Sequence, residues 1–245
     1  MGALEGKVAI ITGGAGGQGS AEARLFVNEG ASVVATDIDE KRGRALVAEL
    51  GDAVVFARHD ITSAEDWARV VKLACDRFGG IDILVNNAGI VAYGSVEEIK
   101  EAELRRLFDV NFYGAFLGVQ AVVTPMTKRG GGAIVNTVSA AALRGYAGNF
   151  GYGVSKWALR GLSRYCAVDL VKKKIRVNAI LSGAVETEMI NRPEAASVLA
   201  AAKATVPMNR FAEPEEIARL ALFLASDASS YMAGSELVAD GGMSA

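Results

Sequence analysis

Val8-Ala9-Ile10-Ile11-Thr12-Gly13-Gly14-Ala15-Gly16-Gly17-Gln18-Gly19 is the stretch that decides the fold. The apolar run Val8–Ile11 reads as a strand buried on both faces, the pattern of a parallel sheet. A glycine-rich turn follows at once, and helical periodicity then continues to about Asn28. Glycines allow positive φ and a close approach of backbone to a ligand. The N-terminus of the next helix offers unpaired N–H groups and the positive end of its dipole. A turn of this kind between the first strand and first helix suits a dinucleotide pyrophosphate, with Gly13, Gly17, Gln18 and Gly19 around it. A tight turn without a ligand is the plainer alternative.

An acidic residue is expected about 20 residues further on, at the end of the next strand, where its carboxylate accepts from the ribose hydroxyls of NAD and repels a 2′-phosphate. Asp37 stands there, followed by Ile38. The turn itself contains no Arg or Lys, and Lys41 and Arg42 read as a solvated helix face. NAD is therefore the expected cofactor, rather than NADP.

The same alternation runs through the chain. Strands are expected at Ser32–Thr36, Val54–Ala57, Ile83–Val85, Ala133–Val138, Ile175–Ile180 and Glu236–Val238. Between them lie helical patterns at about Asp39–Leu50, after Ser63 as N-cap, at Glu101–Lys128 with Pro125 near its end, at Tyr152–Val171 and at Glu215–Leu224. The expectation is a single Rossmann-like α/β domain over 1–245, doubly wound, with a seven-stranded parallel sheet and helices on both faces. Residues 182–214 are the least regular and read as a substrate lid at about 183–212.

Composition excludes other classes. The 245 residues are 51% hydrophobic and 22% charged, with 26 basic against 28 acidic residues, so nothing suggests a nucleic-acid or anionic-membrane partner. A single histidine, His59, rules out multi-histidine metal sites, and no metal is expected. His59 reads as a solvent-facing or strand-end residue, and Trp157 as core or subunit interface. The two cysteines, Cys75 and Cys166, are far apart, which fits a reducing compartment. No run reaches the ~18 apolar residues of a membrane span. A cytoplasmic protein is expected.

Tyr152 and Lys156 stand at i and i+4, on one face of a helix. Ser139 lies just past the fifth strand, where open α/β sheets put ligand-contacting groups. A free tyrosine has a pKa of about 10 and is about 0.1% phenolate at pH 7. An ammonium nearby lowers that pKa. Tyr152 then serves as base for an alcohol proton and as acid in reverse, with Ser139 bonding the substrate oxygen. Tyr-x-x-x-Lys alone is common by chance. Its weight comes from the company of the glycine turn, Asp37 and Ser139.

Together these residues resemble the short-chain dehydrogenase/reductase family over essentially the whole chain, with the NAD-linked hydroxysteroid and alcohol dehydrogenases as the most similar group. Thr12-Gly13-x-x-x-Gly17-x-Gly19 resembles its cofactor turn, Asp60-Ile61 its adenine-contacting pair, and Asn86-Asn87-Ala88-Gly89 its motif after the fourth strand. The resemblance makes Asn111, Ser139, Tyr152 and Lys156 a catalytic tetrad, in which Asn111 holds a relay water and Lys156 also binds the nicotinamide ribose. It sets Gly183, Val185 and Thr187 against the nicotinamide. It lines a substrate pocket with Ala141, Tyr146, Asn149 and Met189, and with Ala142, Leu143, Phe150 and residues near Leu199. These are mostly small or apolar. The resemblance implies reversible hydride transfer between NAD and an apolar secondary alcohol or ketone, such as a hydroxysteroid, terpenoid or aryl alcohol, by a homotetramer. Helices near Glu101–Lys128 and Tyr152–Val171 would pair across one axis and the C-terminal strand across another. Two alternatives stand beside it, a 3-oxoacyl-carrier-protein reductase using NADPH and a non-catalytic NAD-binding regulator. One departure is plain. The family's Pro-Gly after the sixth strand is Ser182-Gly183 here.

Overall fold

The computed structural model describes residues 2–187 and 203–245. Seven strands form one all-parallel sheet: β1 Val8–Thr12, β2 Ser32–Asp37, β3 Val54–Arg58, β4 Ile83–Asn86, β5 Gly132–Thr137, β6 Ile175–Ser182 and β7 Glu236–Ala239. Their order is β3-β2-β1-β4-β5-β6-β7. The chain first builds outward from β1 to β3, then crosses back and builds the other way. The direction therefore reverses between β1 and β4, and a crevice opens at their carboxyl ends.

Alternate residues of each strand feed two separate cores. Ala9 and Ile11 of β1 face a layer made by α1 (Gly17–Asn28), α2 (Glu40–Leu50) and α7 (Pro214–Ala225), including Phe26, Leu46, Ile217 and Leu224. Val8 and Ile10 face α3 (Ala64–Phe78), α5 (Ala115–Lys128) and α6 (Phe150–Leu170), including Trp67, Val70, Val122 and Met126. All five residues of β1 are buried, which is why the strand is apolar throughout rather than alternating.

Local signals set the helix ends. The Ser63 side chain accepts from Asp66 N at 3.2 Å and starts α3 as its sequence context implies, while Gly79 ends it with φ 83°. Asp39 caps α2 in the same way, accepting from Arg42 N at 3.1 Å.

Several boundaries shift by one or two residues, with β5 ending at Thr137 and α6 starting at Phe150, and two elements call for comment. The stretch Glu101–Lys128 is not one regular helix. It is α4 (Glu101–Phe108), a π-helical segment Asp109–Gly114, and α5. By length and composition this stretch is also apolar enough to cross a membrane, but Leu117, Val119, Val122 and Met126 bury its apolar side in the core. β6 runs two residues beyond Ile180, because Leu181 and Ser182 pair with Val238 and Ala239 of β7. Half of the expected lid at about 183–212, residues 188–202, lies outside the described residues.

A polar tie joins the sheet's far edge to α6. The Glu236 carboxylate accepts from both Arg160 Nε and Nη2 at 2.8 Å and from Arg164 Nε at 2.7 Å. Arg160 also donates to Ala142 O at 2.6 Å, so the loop after β5 is held by the same side chain. The Arg160 and Arg164 hydrogen bonds lower the Glu236 carboxyl to about 2, well under the ordinary glutamate range. A depressed carboxyl stabilises the fold above its unfolded pKa and loses that contribution as pH falls through the folded value. Glu236→Gln is expected to lower stability by about 1–2 kcal/mol above pH 5, with the deficit closing toward pH 2. Urea unfolding of both proteins across that range checks this.

Candidate active site

The site starts from a single hydroxyl. Thr12 Oγ1, at the end of β1, accepts from Asn87 N and Ala88 N at 3.0 Å each, and donates to Val85 O at 3.3 Å. Asn87 Nδ2 donates back to Thr12 O at 3.0 Å. The loops after β1 and β4 are thereby tied together on the two sides of the crevice. Gly13 takes φ 63°, and a Cβ there would lie 3.0 Å from Ala88 Cα, so a side chain is excluded by both conformation and space. At Gly19 a Cβ would collide with Gly13 O, because α1 packs directly on the turn. Thr187 stands over the turn, its Cγ2 2.6 Å from the position a Gly17 Cβ would take.

The cleft along these loops measures about 620 Å³, within the usual range for ligand pockets. Gly13, Gly17, Gln18, Asp37, Ile38, Asp60, Ile61, Asn87, Ala88, Gly89, Tyr152, Lys156, Gly183, Val185 and Thr187 line it as expected, whereas Gly19, buried where α1 packs on the turn, and Asn111 and Ser139 do not. At one end Asp37 is held as an acceptor pair, Oδ2 taking Ala15 N at 3.3 Å and Oδ1 taking Asp39 N at 3.1 Å. Ile38 beside it is 68% exposed, an open apolar surface. Asp60 Oδ1 accepts from Thr62 N and Oγ1, which fixes the loop after β3. This cradle of close-packed glycines, a carboxylate rim and an open apolar shelf fits a dinucleotide.

His59 is not solvent-facing. It sits at the end of β3 but is 2% exposed, with Nδ1 2.9 Å from Thr36 Oγ1 and its ring edge-on to Trp67. Burial lowers its pKa to about 4, so it is neutral at physiological pH. Trp157, expected as core or interface, is 45% exposed and carries the Arg160 guanidinium over its ring. Glu22, one turn along α1 from Gln18, is fully buried, and burial pushes its carboxyl up to about 8. At pH 7 it is mainly a neutral acid and adds little negative charge beneath the turn.

At the other end stand Tyr152 and Lys156. Lys156 Nζ donates to Thr137 O at 2.8 Å and lies 5.8 Å from the Tyr152 ring centre. Burial lowers the Lys156 pKa to about 8. The sequence reading expects the ammonium to pull the Tyr152 phenol down. In this structure burial pushes the phenol up, a hydrogen bond with Ser139 opposes that, and nearby Tyr93 adds to the rise. Ser139 Oγ also accepts from Ala141 N at 3.1 Å and starts the short turn Ala140–Ala142.

Asn111 lies in the π-helical segment and is 1% exposed. Its Oδ1 accepts from Ile90 N at 2.8 Å, and its Nδ2 donates to Ile90 O at 2.9 Å and to Ser155 Oγ at 3.0 Å. A Cβ on Gly89 would come 3.1 Å from Asn111 Oδ1 and 3.4 Å from Lys156 Nζ, so only glycine leaves these two undisturbed. The extra residue of a π turn displaces the register of side chains, a common device at functional sites.

The expected substrate residues are less convergent. Ala141, Tyr146 and Asn149 lie on the segment between β5 and α6, beside Ser139 but off the lining of the cleft. Tyr146 accepts from Arg144 Nε at 3.0 Å, and Met189 lies outside the described residues. Arg106, Asp109, Val110 and Ile90 line the cleft without any sequence signal, Asp109 and Val110 from the π-helical segment, Arg106 from α4 and Ile90 from the loop after β4. Tyr93 was also missed. Its loop is stapled to the start of α6 by Gly94 N to Gly148 O at 2.8 Å and Phe150 N to Gly94 O at 3.2 Å.

Comparison with known proteins fits this geometry. A family model described as enoyl-(acyl carrier protein) reductase matches residues 13–244. The 3-alpha-(or 20-beta)-hydroxysteroid dehydrogenase of Mycobacterium tuberculosis is 43% identical over 242 residues, covering 98% of this chain and 90% of the relative. The chain belongs to the short-chain dehydrogenase/reductase family. Two further members are the trans-4-hydroxycyclohexanecarboxylate dehydrogenase of Sinomonas cyclohexanicum, 40% identical over 98% of this chain and 93% of the relative, and the cyclopentanol dehydrogenase of a Comamonas species, 38% identical over 100% of both. The protein is accordingly an oxidoreductase of secondary alcohols, of a family that works with a nicotinamide cofactor. Gly19→Ala is expected to weaken dinucleotide binding at least about tenfold while α6 and the sheet stay folded. Fluorescence titration with the reduced dinucleotide, beside circular dichroism, checks this.

Proposed function

We propose that this short-chain dehydrogenase/reductase oxidises an apolar, cyclic secondary alcohol with NAD, reversibly, using Asn111, Ser139, Tyr152 and Lys156. The observation that carries the reading is the pairing of two chemistries in one cleft: Tyr152 beside Lys156 at one end, with the phenol lowered by Ser139, and the Asp37 carboxylate at the other. Asp37 supports NAD, because a carboxylate opposes a 2′-phosphate. Arg42 also lines the cleft, but its side chain is drawn to Asp39 at 3.3 Å. The activities for which the relatives are named, on a hydroxysteroid, trans-4-hydroxycyclohexanecarboxylate and cyclopentanol, support a ring-bearing alcohol.

Gly13, Gly17, Gln18 and Gly19 would hold the pyrophosphate, Asp37, Ile38, Asp60 and Ile61 the adenosine, and Lys156, Gly183, Val185 and Thr187 the nicotinamide end. When bound, the nicotinamide supplies a hydride acceptor. Ser139 bonds the substrate oxygen and orients it toward Tyr152. The Tyr152 phenolate takes the hydroxyl proton as the carbonyl forms, and the phenol returns it in the reverse direction. Lys156 keeps its proton below about pH 8 and offsets the phenolate charge, against the burial that raises the phenol. Asn111 braces Ile90 and Ser155, and so positions the loop after β4 and the first turns of α6. Since oxidation requires the phenolate, its rate rises with pH, and that of reduction falls.

Nicotinamide absorbance with a panel of cyclic secondary alcohols, hydroxysteroids included, tests the reading with NAD and NADP in parallel. Turnover is expected with NAD, and Tyr152→Phe should lower it at least about 100-fold while leaving NAD affinity within about threefold. Turnover confined to NADP would overturn the cofactor reading. Turnover unaffected by Tyr152→Phe would overturn the mechanism.

The same proposal includes assembly as a homotetramer. Phe150, Val154, Trp157, Tyr165 and Val168 are all exposed and share one side of α6, opposite the residues it buries. Val238 is 48% exposed on β7, the edge of the sheet. A stripe and an edge on different faces suit two dyad axes. Light scattering is expected to give a tetramer for the wild type and a smaller species for the Trp157→Asp, Tyr165→Asp double variant. A wild-type monomer at micromolar concentration would refute the assembly.

A further inference from the structure

Glu22 is a buried acid that the mechanism above does not use. It lies in α1, about 7.5 Å along the helix axis from Gly17, the residue that opens the helix on the glycine turn. It is 0% exposed. Its Oε1 accepts from Gln18 Nε2 at 3.3 Å, and Gln18 itself lines the cleft. Its Oε2 is buried and, among the described residues, has no hydrogen-bond partner. Gly19, Ala21, Ala23 and Phe26, the other buried residues of α1, are small or apolar, as are Ile217, Ala221 and Leu224 of α7 in the same layer.

The charged groups of the neighbouring elements are engaged elsewhere. Arg24 of α1 is bonded to Glu49 of α2 and feels Glu215 of α7. Glu216 of α7 is bonded to Arg210 and feels Arg219. On α2, Arg44 pairs with Glu40 and Arg42 with Asp39, while Lys41 is exposed. Asp37 of β2 accepts from Ala15 N and Asp39 N. Burial raises the Glu22 carboxyl to about 8, the Gln18 hydrogen bond opposes this, and no charged side chain contributes.

On the reading above, the pyrophosphate of the dinucleotide lies at the start of α1, drawn by the helix N-terminus. A carboxylate within the first turns of that helix works against this attraction, and its burial keeps water and salt from screening it. A neutral acid leaves the attraction intact. Binding of the pyrophosphate and ionisation of Glu22 therefore oppose each other, and by reciprocity a bound dinucleotide makes Glu22 hold its proton more tightly.

We propose that Glu22 is a positioning residue that couples cofactor binding to a proton: as a neutral acid it holds Gln18 at the turn and admits the pyrophosphate, and as a carboxylate it repels it. Dinucleotide affinity is then greatest below about pH 8 and falls as pH rises through that value. The inference rests on the dinucleotide reading of the cleft, and binding by the wild type separates the two. Fluorescence titration with NADH is run between about pH 6.5 and 9.5 on the wild type, Glu22→Gln and Glu22→Met. Lys156 also titrates near pH 8, but it is common to all three proteins. Across this range the wild type should weaken about fivefold more than either variant. Equal pH dependence in all three would overturn the role of Glu22 alone. Infrared titration of the buried carboxylic acid in the wild type needs no variant. NAD should carry its protonated band to higher pH, and a band that NAD does not move would overturn the coupling. A wild type that binds no dinucleotide at any pH would overturn the cleft reading and this inference with it.

Discussion

The hydroxyl of Thr12 is the tie on which the cleft depends. It sits where the strand order reverses, and it bonds backbone groups of β1's neighbour at three points, Val85 O, Asn87 N and Ala88 N. Two N–H groups that leave β4 would otherwise end inside the protein without partners, at a cost comparable to a lost hydrogen bond each. Through this contact the glycine turn and the loop carrying Gly89 and Ile90 are set at a fixed separation. Ile90 in turn receives the Asn111 side chain, and Asn111 reaches Ser155 on α6. The two ends of the site are thus parts of one hydrogen-bonded chain that starts at β1. A second polar run lies below it, from Asn86 to Asn136 at 2.9 Å and on to Ser163 at 2.9 Å, joining β4, β5 and α6.

Burial governs the electrostatics of this site more than pairing does. Glu22 is raised to about 8, His59 lowered to about 4, Lys156 lowered to about 8 and Tyr152 raised, and desolvation is the leading cause for each. Beneath the cleft, ionisable groups are driven toward their neutral forms. Charge is kept at the rim, where Asp37, Asp60 and Arg42 line the opening.

Much of this was legible from local patterns. The run Val8–Thr12 into the glycine turn reads correctly because a doubly buried strand and a turn of glycines are both properties of adjacent residues. Ser63 reads as a cap because its bond spans three residues. Tyr152 and Lys156 read as one face because helical spacing is independent of what surrounds the helix. The π segment did not read at all. Asp109–Gly114 holds only weak helix formers, which does not specify a change of helix type, and there Asn111 bonds a loop 21 residues earlier. His59 stands at the strand end as one of its readings had it, but its burial did not read, since it packs edge-on against Trp67 of the next helix. The added length of β6 comes from its partner β7, more than fifty residues on.

The sequence by itself determined the alternation of strands and helices, the turn at Gly13–Gly19, the carboxylate at Asp37 and the spacing of the tyrosine and lysine, because each depends on residues within a few turns of one another. The tertiary structure alone decided which ionisable groups lose their water, where Asn111 points, and that Arg106, Asp109 and Ser182 line the cleft. Those properties arise from contacts between distant segments, and burial has no value until the chain has closed around it.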